Sequence, residues 1–67
     1  MTFKLWDRIV CINDDLWFVK PGERGVINKI NDDMYEIGLD NGKYCWVYKS
    51  QISQYFILDS KLYKALS

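Results

Sequence analysis

Residues 37–47 constrain the fold of this chain more than any other segment, because two apolar runs flank the turn sequence Asp40-Asn41-Gly42. Asn and Gly tolerate the positive φ that a tight chain reversal requires, and branched and aromatic residues suit the flanking strands. The segment therefore predicts a β-hairpin, and with it a fold in which antiparallel strands are joined by short turns.

The length of the hairpin loop decides which side chains share a face. A two-residue loop on Asn41 and Gly42 pairs Ile37 with Trp46 and turns the hairpin aromatics into the core. A three-residue loop with Gly42 in the left-handed conformation pairs Ile37 with Cys45 instead. We favour the three-residue loop. It directs inward Tyr35, Ile37, Leu39, Cys45 and Val47, and it directs outward Tyr44 and Trp46.

The size of the chain requires a dense core. A single domain of 67 residues buries only about 60% of the surface that its unfolded chain exposes. The composition, 49% hydrophobic and 16% aromatic, supplies such a core, since each large side chain contributes roughly 1.5–3 kcal/mol when buried. A metal or disulfide framework is not required, and we expect no cofactor.

The pattern along the chain predicts strands joined by short turns, which favours an all-β barrel or sandwich. Residues 16–19 are expected to form a short extended run, residues 49–51 a helical turn, and Asp59 the cap of a short helix with Leu62 and Leu66 on one face. The predicted strands are residues 7–12, 24–30 and 34–39, the second arm of the hairpin, and residues 55–58.

Two motifs carry a family resemblance. Leu16-x-Phe18-x-Lys20-x-Gly22-Glu23 resembles the diverging turn of Src-homology-3-type domains, and Leu39-x-Asn41-Gly42-Lys43-x-Cys45-Trp46-Val47 resembles the distal hairpin of their bacterial relatives. The first strand and Gly25-Val26-Ile27 are also similar to KOW-type small barrels. The resemblance implies one domain over residues 1–67, a five-stranded Src-homology-3-like small barrel over about residues 7–58, and a tail over residues 59–67 with a short helical segment.

Charge and chemistry argue against several function classes. The formal net charge is +0 and the pI is near 6.1, whereas nucleic-acid binders usually carry a basic surplus. The chain has no His, and Cys11 and Cys45 lack metal-ligand spacing, so both are expected to be buried, reduced thiols. No apolar stretch is long enough for a signal peptide or a membrane span. We expect a cytoplasmic protein without catalytic activity.

The outward aromatics are the candidate site. Trp46 and Tyr44, with Trp17 and Tyr48 at the rim, would form an apolar patch of the kind that marks a protein partner. The alternative is that residues 55–66, or the N-terminal Phe3 and Trp6, cover this face. The patch would also suit self-association into a homo-oligomer, and the residue bias suits an accessory protein of a phage or low-GC bacterium.

A second hypothesis is a KOW-like nucleic-acid binder. Basic side chains would contact phosphates while Trp17 or Tyr44 stacks on a base. A net charge of zero does not prevent a basic face that an acidic face balances. The residues of this alternative are Arg8, Lys20, Arg24, Lys29, Lys43 and Lys49.

Overall fold

The computed structural model describes residues 3–60, which form one antiparallel five-stranded sheet and one short helix. The predicted all-β fold is confirmed, and the arrangement is consistent with a small barrel. The strands follow the order β4-β3-β2-β1-β5 across the sheet. The elements are β1 (Arg8–Cys11), β2 (Arg24–Ile30), β3 (Met34–Leu39), β4 (Tyr44–Tyr48), α1 (Ile52–Tyr55) and β5 (Phe56–Leu58).

The hairpin between β3 and β4 has the three-residue loop. Gly42 has a φ of 91°, and its N–H donates to the carbonyl of Leu39 at 2.9 Å. The Leu39 N–H in turn donates to the carbonyl of Lys43 at 2.8 Å, and Ile37 pairs with Cys45. This register sets the faces of both strands, so the predicted inward set is buried while Tyr44 and Trp46 are exposed.

The core extends beyond the strands to the start of the described chain. Phe3, which precedes β1, is 2% exposed and packs edge-on against Tyr35 with ring centroids 6.0 Å apart. The apolar core therefore includes a residue outside the sheet. Its buried members are Phe3, Ile9, Cys11, Val19, Ile27, Tyr35, Ile37, Leu39, Cys45, Val47, Ile52 and Phe56.

The prediction of an extended run over residues 16–19 is wrong, because Trp17, Phe18 and Val19 lie in a turn. In a strand, alternate side chains point to opposite sides. Here Leu16, Phe18 and Val19 all pack on the core, which strict alternation cannot achieve. The chain therefore turns at this point, and Trp17 is left outside.

The prediction of a helical turn over residues 49–51 is wrong, because these residues form a non-helical turn and the helix follows them at Ile52. The Lys49 N–H donates to the carbonyl of Asp33 at 2.8 Å, so hydrogen bonding alongside β4 continues past its last residue. Ile52 is buried, and helical backbone at that position brings its side chain into the core. As a result, the last strand begins at Phe56 and not at Tyr55.

Two further predictions concern the C-terminal tail and the two cysteines. The helical face of Leu62 and Leu66 lies outside the described residues. Both Cys11 and Cys45 are buried and free, as predicted. Within residues 3–60, no helix is long and apolar enough to cross a membrane.

Candidate protein-binding surface

Three large aromatic side chains project from the outer face of β4. Tyr44 is 69%, Trp46 42% and Tyr48 54% exposed, because alternation directs them away from the buried Cys45 and Val47. The described residues therefore leave this face open. Phe3, which was one candidate cover, is instead in the core, and Trp6 is itself 66% exposed.

The loop between β1 and β2 adds a fourth aromatic to this surface. Trp17 is 92% exposed, and its ring meets that of Phe18 edge-on at a centroid distance of 5.4 Å. Phe18 packs on the core, so it anchors the turn that carries Trp17. These two residues and one end of β4 enclose an open groove of about 610 Å³, which we call the aromatic groove; it is lined by Trp17, Phe18, Lys43, Tyr44, Cys45 and Trp46.

The lining of the aromatic groove shows where it lies on the sheet. Cys45 points toward the core, whereas Tyr44 and Trp46 point outward. The groove is lined by the four consecutive residues 43–46 at one end of β4 and by two residues of the β1–β2 loop. β4 is the terminal strand of the sheet order, so one of its edges faces away from β3.

The hydrogen-bond pattern of the hairpin determines which backbone groups reach that edge. In an antiparallel pair, residues that exchange hydrogen bonds with their partner alternate with residues that do not. The bond from Leu39 N–H to Lys43 C=O sets the phase at one end of β4. Ile37 and Cys45 form the next hydrogen-bonded pair in this phase.

The residues of β4 between these hydrogen-bonded positions have their backbone N–H and C=O groups on the edge away from β3. Tyr44, Trp46 and Tyr48 lie opposite Gly38, Glu36 and Met34 in non-hydrogen-bonded positions, so their N–H and C=O groups point away from β3. The Tyr48 carbonyl accepts a bond from the Gln51 N–H at 2.9 Å. Among the described residues, no strand pairs with this edge.

Cys45 lines the groove and is a buried, free cysteine. Burial, with a smaller contribution from nearby Cys11, raises the pKa of Cys45 to about 11. The thiolate is the nucleophilic form of cysteine, so this side chain stays a neutral apolar group near pH 7. Within residues 3–60, no group of three or more His, Cys, Asp or Glu side chains is placed to hold a metal ion.

Two of the six basic residues of the nucleic-acid hypothesis are paired with carboxylates. Arg8 pairs with Asp40 at 3.2 Å and Arg24 with Asp59 at 3.3 Å. The Lys49 Nζ lies 5.7 Å from the centroid of the Tyr35 ring. The other three basic candidates are exposed on separate segments: Lys20, Lys29 and Lys43.

Sequence reasoning identified Trp17, Tyr44 and Trp46, and the structure brings these three together. Tyr48 lies on the same face of β4 but outside the groove lining. Phe18 and Cys45 were not among the predicted site residues; both line the groove, and this role depends on the position of the loop. Comparison of the chain with protein-family models, with curated proteins and with solved structures finds no match.

Proposed function

We propose that this protein is a non-catalytic interaction module that binds a partner protein through the aromatic groove and the adjacent Tyr48. The observation that carries the proposal is the convergence of Trp17, Tyr44 and Trp46, three exposed aromatics from two separate segments, on one groove. Such clusters are unfavourable in water and mark interaction surfaces. Trp and Tyr are also the residues that most often dominate binding energy at interfaces.

The setting of these side chains favours tight binding. Tyr44 and Trp46 extend from a strand that is hydrogen-bonded to β3, and Trp17 lies in a turn that Phe18 and Val19 anchor on the core. A surface that is ordered before binding loses less conformational entropy when the partner arrives. The groove volume also lies within the range of about 300–1,000 Å³ that is typical of ligand pockets.

The proposal includes a fold family and a compartment. A five-stranded antiparallel sheet with the tight β3–β4 hairpin and a helical turn before the last strand supports a Src-homology-3-like barrel. The two buried, free thiols support a reducing, cytoplasmic setting. An accessory protein of a phage or low-GC bacterium that modulates a partner protein fits this description.

The experiment is selection of peptides from a random display library on the full chain, followed by affinity measurements on variants. Trp46→Ala should weaken binding of the selected peptides by at least tenfold, and Trp17→Ala should have a similar effect. Trp6→Ala is the matched control, because Trp6 is an exposed Trp that does not line the groove. Equal affinity for all three variants and the original chain would contradict the proposal.

The nucleic-acid hypothesis is tested by a separate titration. Titration with single-stranded and duplex oligonucleotides at about 50 mM salt favours detection, because phosphate contacts weaken as salt rises. We expect no binding, since Arg8 and Arg24 already pair with carboxylates. Binding that Lys43→Ala abolishes and Trp46→Ala leaves intact would replace the protein-binding proposal.

A further inference from the structure

We infer that the partner binds as an extended peptide that adds a strand to the free edge of β4, antiparallel to it, with acidic residues opposite Lys43 and Lys49. This inference rests on the proposed function and names the form and charge of the partner. It depends on the backbone of β4, on the two faces of that strand and on the charges at its ends.

The backbone of β4 offers a row of hydrogen-bonding groups. The N–H and C=O of Tyr44 and Trp46 and the N–H of Tyr48 point away from β3, toward the edge where no described strand pairs. An edge of this kind is a template for another strand, and peptide binding by strand addition uses these groups for affinity.

The side chains along the edge favour an alternating apolar peptide. Residues of the added strand opposite Tyr44, Trp46 and Tyr48 would lie on the outer face beside the three aromatic side chains. Residues opposite Cys45 and Val47 would point to the other side, where Cys45 also lines the groove. The aromatic groove thus receives alternate side chains of a strand that the backbone edge holds.

The lysines just outside the two ends of β4 indicate the charge of the partner. Lys43 and Lys49 are both exposed, stand just outside the two ends of the strand, and form no ion pair with a described residue. No acidic residue lies between them in the chain. At about 3.4 Å per residue, these positions are about 20 Å apart. A seven-residue partner segment with an acidic residue at each end matches both lysines at once.

The same charges disfavour a second copy of this chain as the occupant. Antiparallel pairing of two β4 edges through Tyr44, Trp46 and Tyr48 centres on Trp46. In that register, Lys43 of each copy lies opposite Lys49 of the other. Like charges directly opposite each other destabilise paired strands, so this edge is better matched to an acidic peptide than to itself.

The probe is a synthetic seven-residue peptide with aspartate at both ends and alternating valine and threonine between them, added to the full chain. Amide hydrogen exchange measured by NMR should slow at least tenfold at Tyr44, Trp46 and Tyr48 when the peptide is in excess. The amides of Cys45 and Val47 are already in hydrogen-bonded positions toward β3, so their exchange should change much less.

Two matched peptides separate strand addition from simple apolar contact. N-methylation at the second, fourth and sixth positions removes the peptide N–H groups that face the β4 edge, and it should lower affinity at least tenfold. N-methylation at the third and fifth positions modifies groups that face away and should be tolerated better. A peptide with lysine at both ends should bind at least tenfold more weakly than the original at low salt.

The variants Trp46→Pro and Trp46→Ala test the same hydrogen bonds by changing the protein and not the peptide. Both remove the indole, but only Pro removes the edge N–H, and Pro is tolerated on edge strands where that group faces solvent. The inference is overturned if both N-methylated peptides bind alike, if the peptide gives no protection, or if sedimentation shows a dimer whose edge amides are protected without peptide. The proposed function would still stand if Trp46→Ala weakened binding of the display-selected peptides.

Discussion

The side chain of Asn28 lies where a Cβ atom on Gly38 would have to be. Asn28 is the extra residue of a β-bulge in β2, between the pairs that Ile27 and Lys29 form with β3. The absence of a side chain at Gly38 lets the bulged strand and its partner approach closely. Gly38 lies opposite Tyr44, so this contact also supports the strand that carries the aromatic groove.

Gly38→Ala should therefore destabilise the fold by about 1 kcal/mol, the low end of the cost of overpacking, because the Asn28 amide is the end of a flexible side chain that can shift. The contact is with a side chain, so the double variant Gly38→Ala with Asn28→Ala should recover much of the loss. Gly25→Ala is the contrasting variant, because its Cβ would lie 2.9 Å from the carbonyl oxygen of Gly38, a backbone atom that no side-chain change removes. Urea unfolding of the original chain, Gly38→Ala, Asn28→Ala and the double variant gives the coupling free energy, and a coupling of zero would refute the explanation.

The left-handed conformation at Gly42 leads to a second prediction. Its φ is 91° and a Cβ there would meet nothing within 4 Å, so the cost of substitution is backbone strain alone. Gly42→Val should lower the free energy of unfolding by more than about 1 kcal/mol, because branched residues resist positive φ. Gly42→Asn should cost less, since Asn tolerates this region. Equal stability of the Val variant, measured by urea unfolding, would contradict the observed loop.

The burial of Phe3 predicts that the segment before β1 is needed for stability. Phe3→Ala should cost about 3–5 kcal/mol, as is usual for removal of a buried ring, because the variant loses the edge-on contact with Tyr35. Leu5→Ala is a matched control on the same segment, since Leu5 is exposed; it should change stability by less than about 0.5 kcal/mol. Thermal and urea unfolding measure both. If the two variants were equally stable, Phe3 would not belong to the core.

The pKa of Cys45 predicts a loss of stability at alkaline pH. Burial raises this pKa from 9.0 to about 11, so the folded chain holds the thiol proton more tightly than the unfolded chain. The stabilising contribution is complete below about pH 9 and is lost as pH rises to about 11. A hundredfold difference in proton affinity corresponds to at most about 3 kcal/mol.

Unfolding free energies between pH 8 and pH 11 should therefore fall more steeply for the original chain than for Cys45→Ala. The two chains differ only at this position, so the difference isolates the thiol. Alkylation supplies a second readout, because Cys45 should react with iodoacetamide at pH 8 much more slowly in the folded chain than in urea. Parallel pH profiles would show that burial of this thiol does not affect stability.

Local sequence determined the hairpin, its register and the identity of most core strand residues. Asn41 and Gly42 permit only a few tight turns, and once Gly42 takes a positive φ, the period of two in β4 decides that Cys45 is inside and Trp46 outside. The bounds of β2 and β3 follow from the same alternation and from the turn residues between them, which is why both agree with the prediction.

Tertiary structure alone decided the features that join distant segments. Residues 16–19 form a turn because Leu16, Phe18 and Val19 all find space on the core, and helix α1 begins where Ile52 can be buried. Likewise, Arg8 meets Asp40 only because β1 and β2 are paired. The aromatic groove is also decided by tertiary structure. Alternation makes Trp46 exposed, but only packing of the β1–β2 loop brings Trp17 beside it. Local patterns act through turn geometry and alternation, whereas contacts between distant residues depend on how much apolar surface each arrangement buries.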